Sequence, residues 1–159
     1  MDLCPVSAAD LTFLAEMTLL AAFPPGPLPE GASEMPHVTR WLVDWGRPGD
    51  AGVIAWHCGE RLGAAWCRVL ADVLVRDTEG RPLPELAIAV APGHQARGVG
   101  AHLLDGLARA ASDLGHTAVS LTVNARNPAL RLYERAGFKV VANDGNRLTM
   151  VKSLGAQEA

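Results

Sequence analysis

A chain of 159 residues with 49% apolar composition can bury one substantial core, so a single domain over residues 1–152 with a short tail at 153–159 is expected. Its net charge of −3 provides no basic surface for nucleic acid or an anionic membrane. The longest apolar stretch, Leu11 to Phe23, is broken by Thr12, Glu16 and Thr18, lacks a basic leader and is too short to cross a bilayer. A cytoplasmic protein acting on a small molecule or peptide is expected. Cys4, Cys58 and Cys67 form an odd set without CxxC spacing or a matching histidine cluster, which argues against a disulfide framework and against a metal site.

In chain order, Ser7 and Asp10 bracket a helix start, and Leu11, Leu14, Ala15, Thr18 and Leu19 at helical spacing predict a helix over residues 8–22. The proline-rich run from Phe23 to Gly31 ends it, because each proline fixes its own φ and disfavours helix in its predecessor. A second helix, about Met35 to Trp45, precedes the turn at Gly46 to Asp50, and this region is expected to cover an active site. Ala51 to His57 and Leu62 to Leu70 predict a hairpin joined by Cys58-Gly59-Glu60-Arg61. Asp72 to Leu83 is polar and turn-rich. Glu85 to Ala91 reads as a strand ended by Pro92-Gly93, and Gly98 to Leu114 as a helix with Val99, Leu103, Leu104, Leu107 and Leu114 on one stripe and Gly115 just beyond it. Thr117 to Val123 is a β-branched strand. Asn127 caps a helix with Pro128 at its first position and Gly137 past its end, and two short strands, Phe138 to Val141 and Arg147 to Val151, close the chain. This order mixes antiparallel pairs with one parallel βαβ unit, the pattern of a mixed-sheet α/β or α+β domain. The four tryptophans, Trp41, Trp45, Trp56 and Trp66, are read as core residues before they are read as an acceptor pocket.

The junction from the strand at Glu85 into the helix at Gly98 carries the chemistry. A strand feeding a glycine-containing loop and a helix N-terminus gathers free backbone N–H groups and the positive end of the helix dipole at one point, a place for an anion. Gly98 and Gly100, lacking Cβ atoms, would let a phosphate approach the backbone. A Walker-type loop needs Gly-Lys-Ser/Thr, whereas Gly100 is followed by Ala101 and His102. A dinucleotide fingerprint needs a third glycine where Leu103 stands, and an acidic residue where the next strand ends in Val123-Asn124. A tight turn with no ligand is the remaining alternative for the loop alone.

Read with Asn127-Pro128-Ala129-Leu130-Arg131-Leu132-Tyr133-Glu134-Arg135-Ala136-Gly137-Phe138, residues 85 to 101 closely resemble the GNAT superfamily of acetyltransferases. Gln95, Gly98 and Gly100 match its Gln/Arg-x-x-Gly-x-Gly/Ala motif, and Asn127, Leu132-Tyr133-Glu134 and Gly137-Phe138 match its second motif. The resemblance implies a mixed sheet of about six to seven strands, splayed between its two central strands and flanked by about four helices. It implies acetyl-CoA as cofactor, with the backbone of Ile88, Ala89 and Val90 bonding the pantetheine amides, an N–H near Val90 stabilising the oxyanion, and Gln95, Ala96, Arg97, Gly98, Val99, Gly100 and Ala101 holding the pyrophosphate. Asn127 would add a cofactor contact to its capping role. Tyr133, the one tyrosine of the chain, stands where the family commonly has the acid that protonates the leaving thiolate; a core aromatic on the Leu130, Tyr133, Ala136 stripe is the competing reading.

A primary amine of a small molecule or peptide must lose a proton before it attacks, so a base is wanted near the cleft. Glu85 is the first candidate, beside the reading that it is a solvated strand end. Thr122 and Asn124 stand where some relatives carry a glutamate, and neither is a competent base. His94 and His102 flank the loop as surface residues; His37 and His57 are further alternatives. Direct transfer in a ternary complex is the expected reaction, with an acyl-CoA-binding sensor that performs no chemistry as the alternative. The acceptor and the oligomeric state, a homodimer included, are left open by the sequence.

Overall fold

A computed structural model of the chain describes residues 1–155, so positions 156–159 of the expected tail lie outside the described residues. The chain starts with a strand, β1 (Asp2–Pro5), that sequence patterning did not foresee, because four residues ending in proline are too few to show alternation. A 3₁₀ turn at Ala8–Asp10 leads into α1 (Leu11–Ala22). Asp10 Oδ2 accepts from both the backbone N–H (2.9 Å) and the hydroxyl (3.0 Å) of Ser7, as the paired polar residues predicted.

The second helix is much shorter than expected. A 3₁₀ turn at Ala32–Glu34 and α2 (Pro36–Thr39) are followed by turns through residue 44 rather than by helix to Trp45. The cause is a buried side chain from elsewhere. Arg68 Nη1 donates to the carbonyls of Arg40 (3.0 Å) and Val43 (2.8 Å), and Nη2 to that of Asp44 (3.4 Å), while Asp44 sits at φ 52°. Carbonyls drawn toward a guanidinium do not continue an i→i+4 ladder.

β2 (Ala51–His57) and β3 (Glu60–Arg68) form the expected hairpin through a two-residue turn, Cys58-Gly59, with φ 49° and 79°. Both values are positive, the geometry that matches the twist of the flanking strands. After the polar stretch come β4 (Glu85–Val90), α3 (Val99–Asp113), β5 (Ala118–Asn124), α4 (Leu130–Arg135), β6 (Lys139–Asp144) and β7 (Arg147–Ser153). The seven strands make one mixed sheet in the order β1-β2-β3-β4-β5-β7-β6, parallel only between β4 and β5.

Alternation sends side chains to two cores, one on each face of the sheet. Leu86 of β4, Val119, Leu121 and Val123 of β5, and Leu148 and Met150 of β7 join Leu103 and Leu107 of α3. On the other face Ile54, Ala64, Trp66 and Ala89 meet Leu14 and Met17 of α1 and Trp41. Trp41 and Trp66 pack edge to face, centroids 6.3 Å apart, and Trp45 and Trp56 pack half-buried against the same cluster, so the tryptophans belong to the core.

Candidate active site

β4 is paired with β3 along its whole length, from Glu85 opposite Arg68 to Val90 opposite Gly63, without a register shift. Its other edge touches β5 at a single position, Glu85 opposite Ser120. There the Ser120 N–H and hydroxyl both donate to Pro84 O, at 2.9 and 3.0 Å. Beyond this point the strands diverge, and the divergence needs no bulge in β4. Antiparallel pairing alternates the direction of the backbone groups. Because the Ala91 N–H donates to Leu62 O at 2.7 Å, the groups of Ala89 turn toward β3, while those of Ile88 and Val90 turn into the gap. This corrects one expectation: Ala89 offers the gap no backbone bond, because its polar groups belong to the β3 ladder.

The gap leads from β4 to the loop at Pro92–Gly98. Ala96, a non-glycine residue, is held at φ 61°, and Gly98 caps α3 at φ 80°. A strained αL alanine persists only where the surroundings over-determine it. The first intrahelical bond is His102 N–H to Gly98 O at 3.2 Å, which leaves the amides of Val99, Gly100 and Ala101 without a partner among the described residues, on a fifteen-residue helix. Apart from its chain neighbours, no described residue has an atom within 4 Å of where a Gly98 Cβ would stand, so the space before the helix is open. Gly100 has a different reason to be glycine. A Cβ there would stand 2.9 Å from Leu132 Cδ2, so its absence lets α4 pack closely on α3. Gln95 Nε2 reaches back to Val90 O at 3.5 Å, the outer limit of a hydrogen bond, and Arg97 is exposed beside the loop.

Asn127 Oδ1 accepts from the Ala129 N–H at 2.9 Å and its carbonyl from the Leu130 N–H at 3.0 Å. It organises the turn into α4, which begins at Leu130, two residues later than predicted. Tyr133 follows on that helix. Its ring packs edge to face on Phe138 at 5.9 Å, and the residue is 9% exposed. Burial alone pushes its hydroxyl up to about 12, so it stays protonated at neutral pH and can donate. Tyr133 is thus a core aromatic that retains a protonated hydroxyl.

Glu85 is 8% exposed, a buried carboxyl rather than a solvated strand end. Burial, which penalises the charged form, holds it above the usual carboxylate range, against the pull of Arg40 and Arg147. The same shift sets a stability effect. Below the ordinary value of 4.5 the carboxyl is protonated in both states. Above its raised native value the folded protein carries a buried charge, so stability falls as pH rises through that window. Glu85→Gln is therefore expected to raise Tm at pH 7, by roughly 2–4 °C for each kcal/mol relieved, and to lose that gain at pH 4. Thermal scans at both values check this, and a Tm lowered at pH 7 would refute it.

The histidines stand elsewhere. His94 Nε2 lies 3.7 Å from Glu60 beside the hairpin turn, His37 packs against Phe23, and His57 is exposed. His102 is half-buried on the first turn of α3.

Residues 15–138 match the model of the acetyltransferase (GNAT) family. The chain belongs to this family. A mycothiol acetyltransferase from Propionibacterium freudenreichii is 35% identical over 107 residues, which cover 66% of this chain and 32% of the relative; the chain therefore spans about a third of that curated protein's length. A Salmonella typhimurium protein solved with its cofactor acetyl-CoA superposes with a TM-score of 0.72 at 19% identity, covering 100% of this chain and 96% of that one. The paia N-acetyltransferase of Thermoplasma acidophilum, solved with coenzyme A, gives 0.70 at 18% identity and coverages of 96% and 99%. The mixed seven-stranded sheet with one splayed parallel pair is thus a GNAT fold.

Two residues that sequence reading did not single out also face Glu85 in this GNAT domain. Arg40 follows α2, lies over Trp41 at 5.7 Å and has a buried Nε–H without an acceptor among the described residues. Arg147 opens β7 opposite Asn124. They are 45 residues before and 62 after Glu85 in the chain, and no local motif marks either.

Proposed function

We propose that this GNAT domain is an acetyl-CoA-dependent N-acetyltransferase that acetylates a primary amine of a small molecule or peptide by direct attack in a ternary complex. The observation that carries the reading is the continuity of two unpaired donor sets: the Ile88 and Val90 backbone edge, and the amides at the start of α3. An extended arm with amide groups fits the first. A diphosphate fits the second, where the position of a Gly98 Cβ is open space. Acetyl-CoA has both parts and supplies an activated acetyl thioester.

The chain's own residues then have distinct tasks. The Ile88 and Val90 edge orients the arm, and its N–H groups donate to the carbonyl oxygen that gains charge during attack. Glu85, at the base of the gap, takes the proton from the incoming ammonium directly or through water. Tyr133 Oη gives a proton to the departing sulfur. Gln95 to Ala101, with Val99, Gly100 and Ala101 contributing the free helix amides, hold the diphosphate, and Asn127 steadies the neighbouring turn.

A thiol-release assay with acetyl-CoA and an amine panel tests the reading. Amine-dependent release of CoA is expected. Acetyl-CoA binding by calorimetry without release on any amine would replace the enzyme by an acyl-CoA-binding sensor.

A further inference from the structure

The residues around Glu85 on the face opposite α3 constrain the acceptor. Val119, Leu121 and Val123 of β5 and Leu148 and Met150 of β7 all pack toward α3. The alternate residues therefore share the other face: Thr122 opposite Thr149, and Asn124 opposite Arg147. Glu85, Ala87 and Ala89 lie on this same face of β4, and Arg40 arrives over it from the segment after α2. The surface beside the gap thus holds one buried carboxylate, two guanidinium groups and a pair of half-buried threonines.

The Arg147 side chain is exposed and makes no hydrogen bond or ion pair among the described residues, and the buried Arg40 Nε–H has no acceptor among them. A polyamine would bring its second positive charge against two guanidiniums. A carboxylate would meet them with charge-assisted and bidentate hydrogen bonds.

We infer that the acceptor carries a carboxylate close to its reactive amine, the ammonium end meeting Glu85 and the carboxylate meeting Arg40 and Arg147. The chemistry is that of an amino acid or of a small molecule with an amino-acid end. This rests on the acetyl-transfer reading and adds to it the class of substrate. Arg40 and Arg147 act as specificity-determining residues, touching the acceptor away from the reacting atoms.

The test compares free α-amino acids with their α-carboxamides and with a diamine of similar length, in the thiol-release assay. The carboxamide amine loses its proton more readily, since no neighbouring negative charge holds it; a preference for the carboxylate therefore cannot come from intrinsic reactivity. We expect kcat/KM for the amino acid to exceed that of its carboxamide by about tenfold or more. Arg147→Gln, at an exposed site, should bring this ratio close to one, chiefly through KM, with acetyl-CoA affinity unchanged by calorimetry. Equal turnover of the two forms, a preference for the diamine or another neutral or polycationic acceptor, or a ratio that survives Arg147→Gln would each overturn the inference while leaving acetyl transfer standing. CoA release on no acceptor, with acetyl-CoA still bound, would overturn the transfer reading and this inference with it.

Discussion

Tyr133→Phe is expected to lower kcat by about a hundredfold or more, the range in which positioned proton donors contribute. The substitution removes one oxygen and little else. The phenyl ring keeps its edge-to-face contact with Phe138 at 5.9 Å, so unfolding transitions should hardly move. Calorimetric affinity for acetyl-CoA should stay within error, because the task proposed for Tyr133 Oη is at the departing sulfur rather than at the diphosphate. With its hydroxyl pushed up to about 12 by burial, the wild-type side chain is in its donating form across the whole neutral range. A kcat equal to wild type would return Tyr133 to the core and leave departure of the thiolate to solvent.

Arg68→Met should be the most destabilising of the changes considered, by about 3–5 kcal/mol. Arg68 is 0% exposed and its partner Asp50 is 4% exposed. Two hydrogen bonds join them, Nε to Oδ1 at 3.1 Å and Nη2 to Oδ2 at 2.6 Å, and the guanidinium lies over Trp45 at 5.3 Å. Methionine restores volume but leaves an uncompensated carboxylate and three carbonyls of residues 40–44 without their donor. Neutralising Asp50 as well should recover only part of the loss, since the carbonyls stay unpaired. Chemical denaturation of the single and double variants measures both quantities; a single-variant loss below about 1 kcal/mol, the level of an exposed pair, would refute the account. Loss of Arg68 also releases the segment that delivers Arg40, so activity on a carboxylate acceptor should fall with it.

What could be read from the sequence divides along this line between local and distant causes. From Glu85 onward the elements are bracketed by residues with a local conformational meaning: Pro92-Gly93 after β4, Gly98 before α3, Gly115 after it, Gly137 after α4. Their order and the donor loop were legible for that reason. The length of α2 was not, because the side chain that ends it belongs to β3. The packing of Leu132 against Gly100 was not legible either, because Leu132 belongs to another helix. The role of Ala89 depended on the parity of the β3–β4 ladder, which a sequence does not display. Glu85 was legible as a candidate base; its burial, and the two arginines across from it, depend on three separate elements meeting.

The single rung between Glu85 and Ser120 has a mechanical consequence. The sheet is two leaves, β1 to β4 and β5-β7-β6, hinged at one bridge and backed by α3, whose side chains join the core of both. The missing rungs lie in the middle of the domain, where most proteins keep their least yielding hydrogen bonds. On the proposed reading, acetyl-CoA laid along Ile88 and Val90 would stitch the leaves together, so the domain borrows part of its rigidity from the molecule it consumes. Each turnover would begin by closing the seam and end, as free CoA leaves, by opening it again.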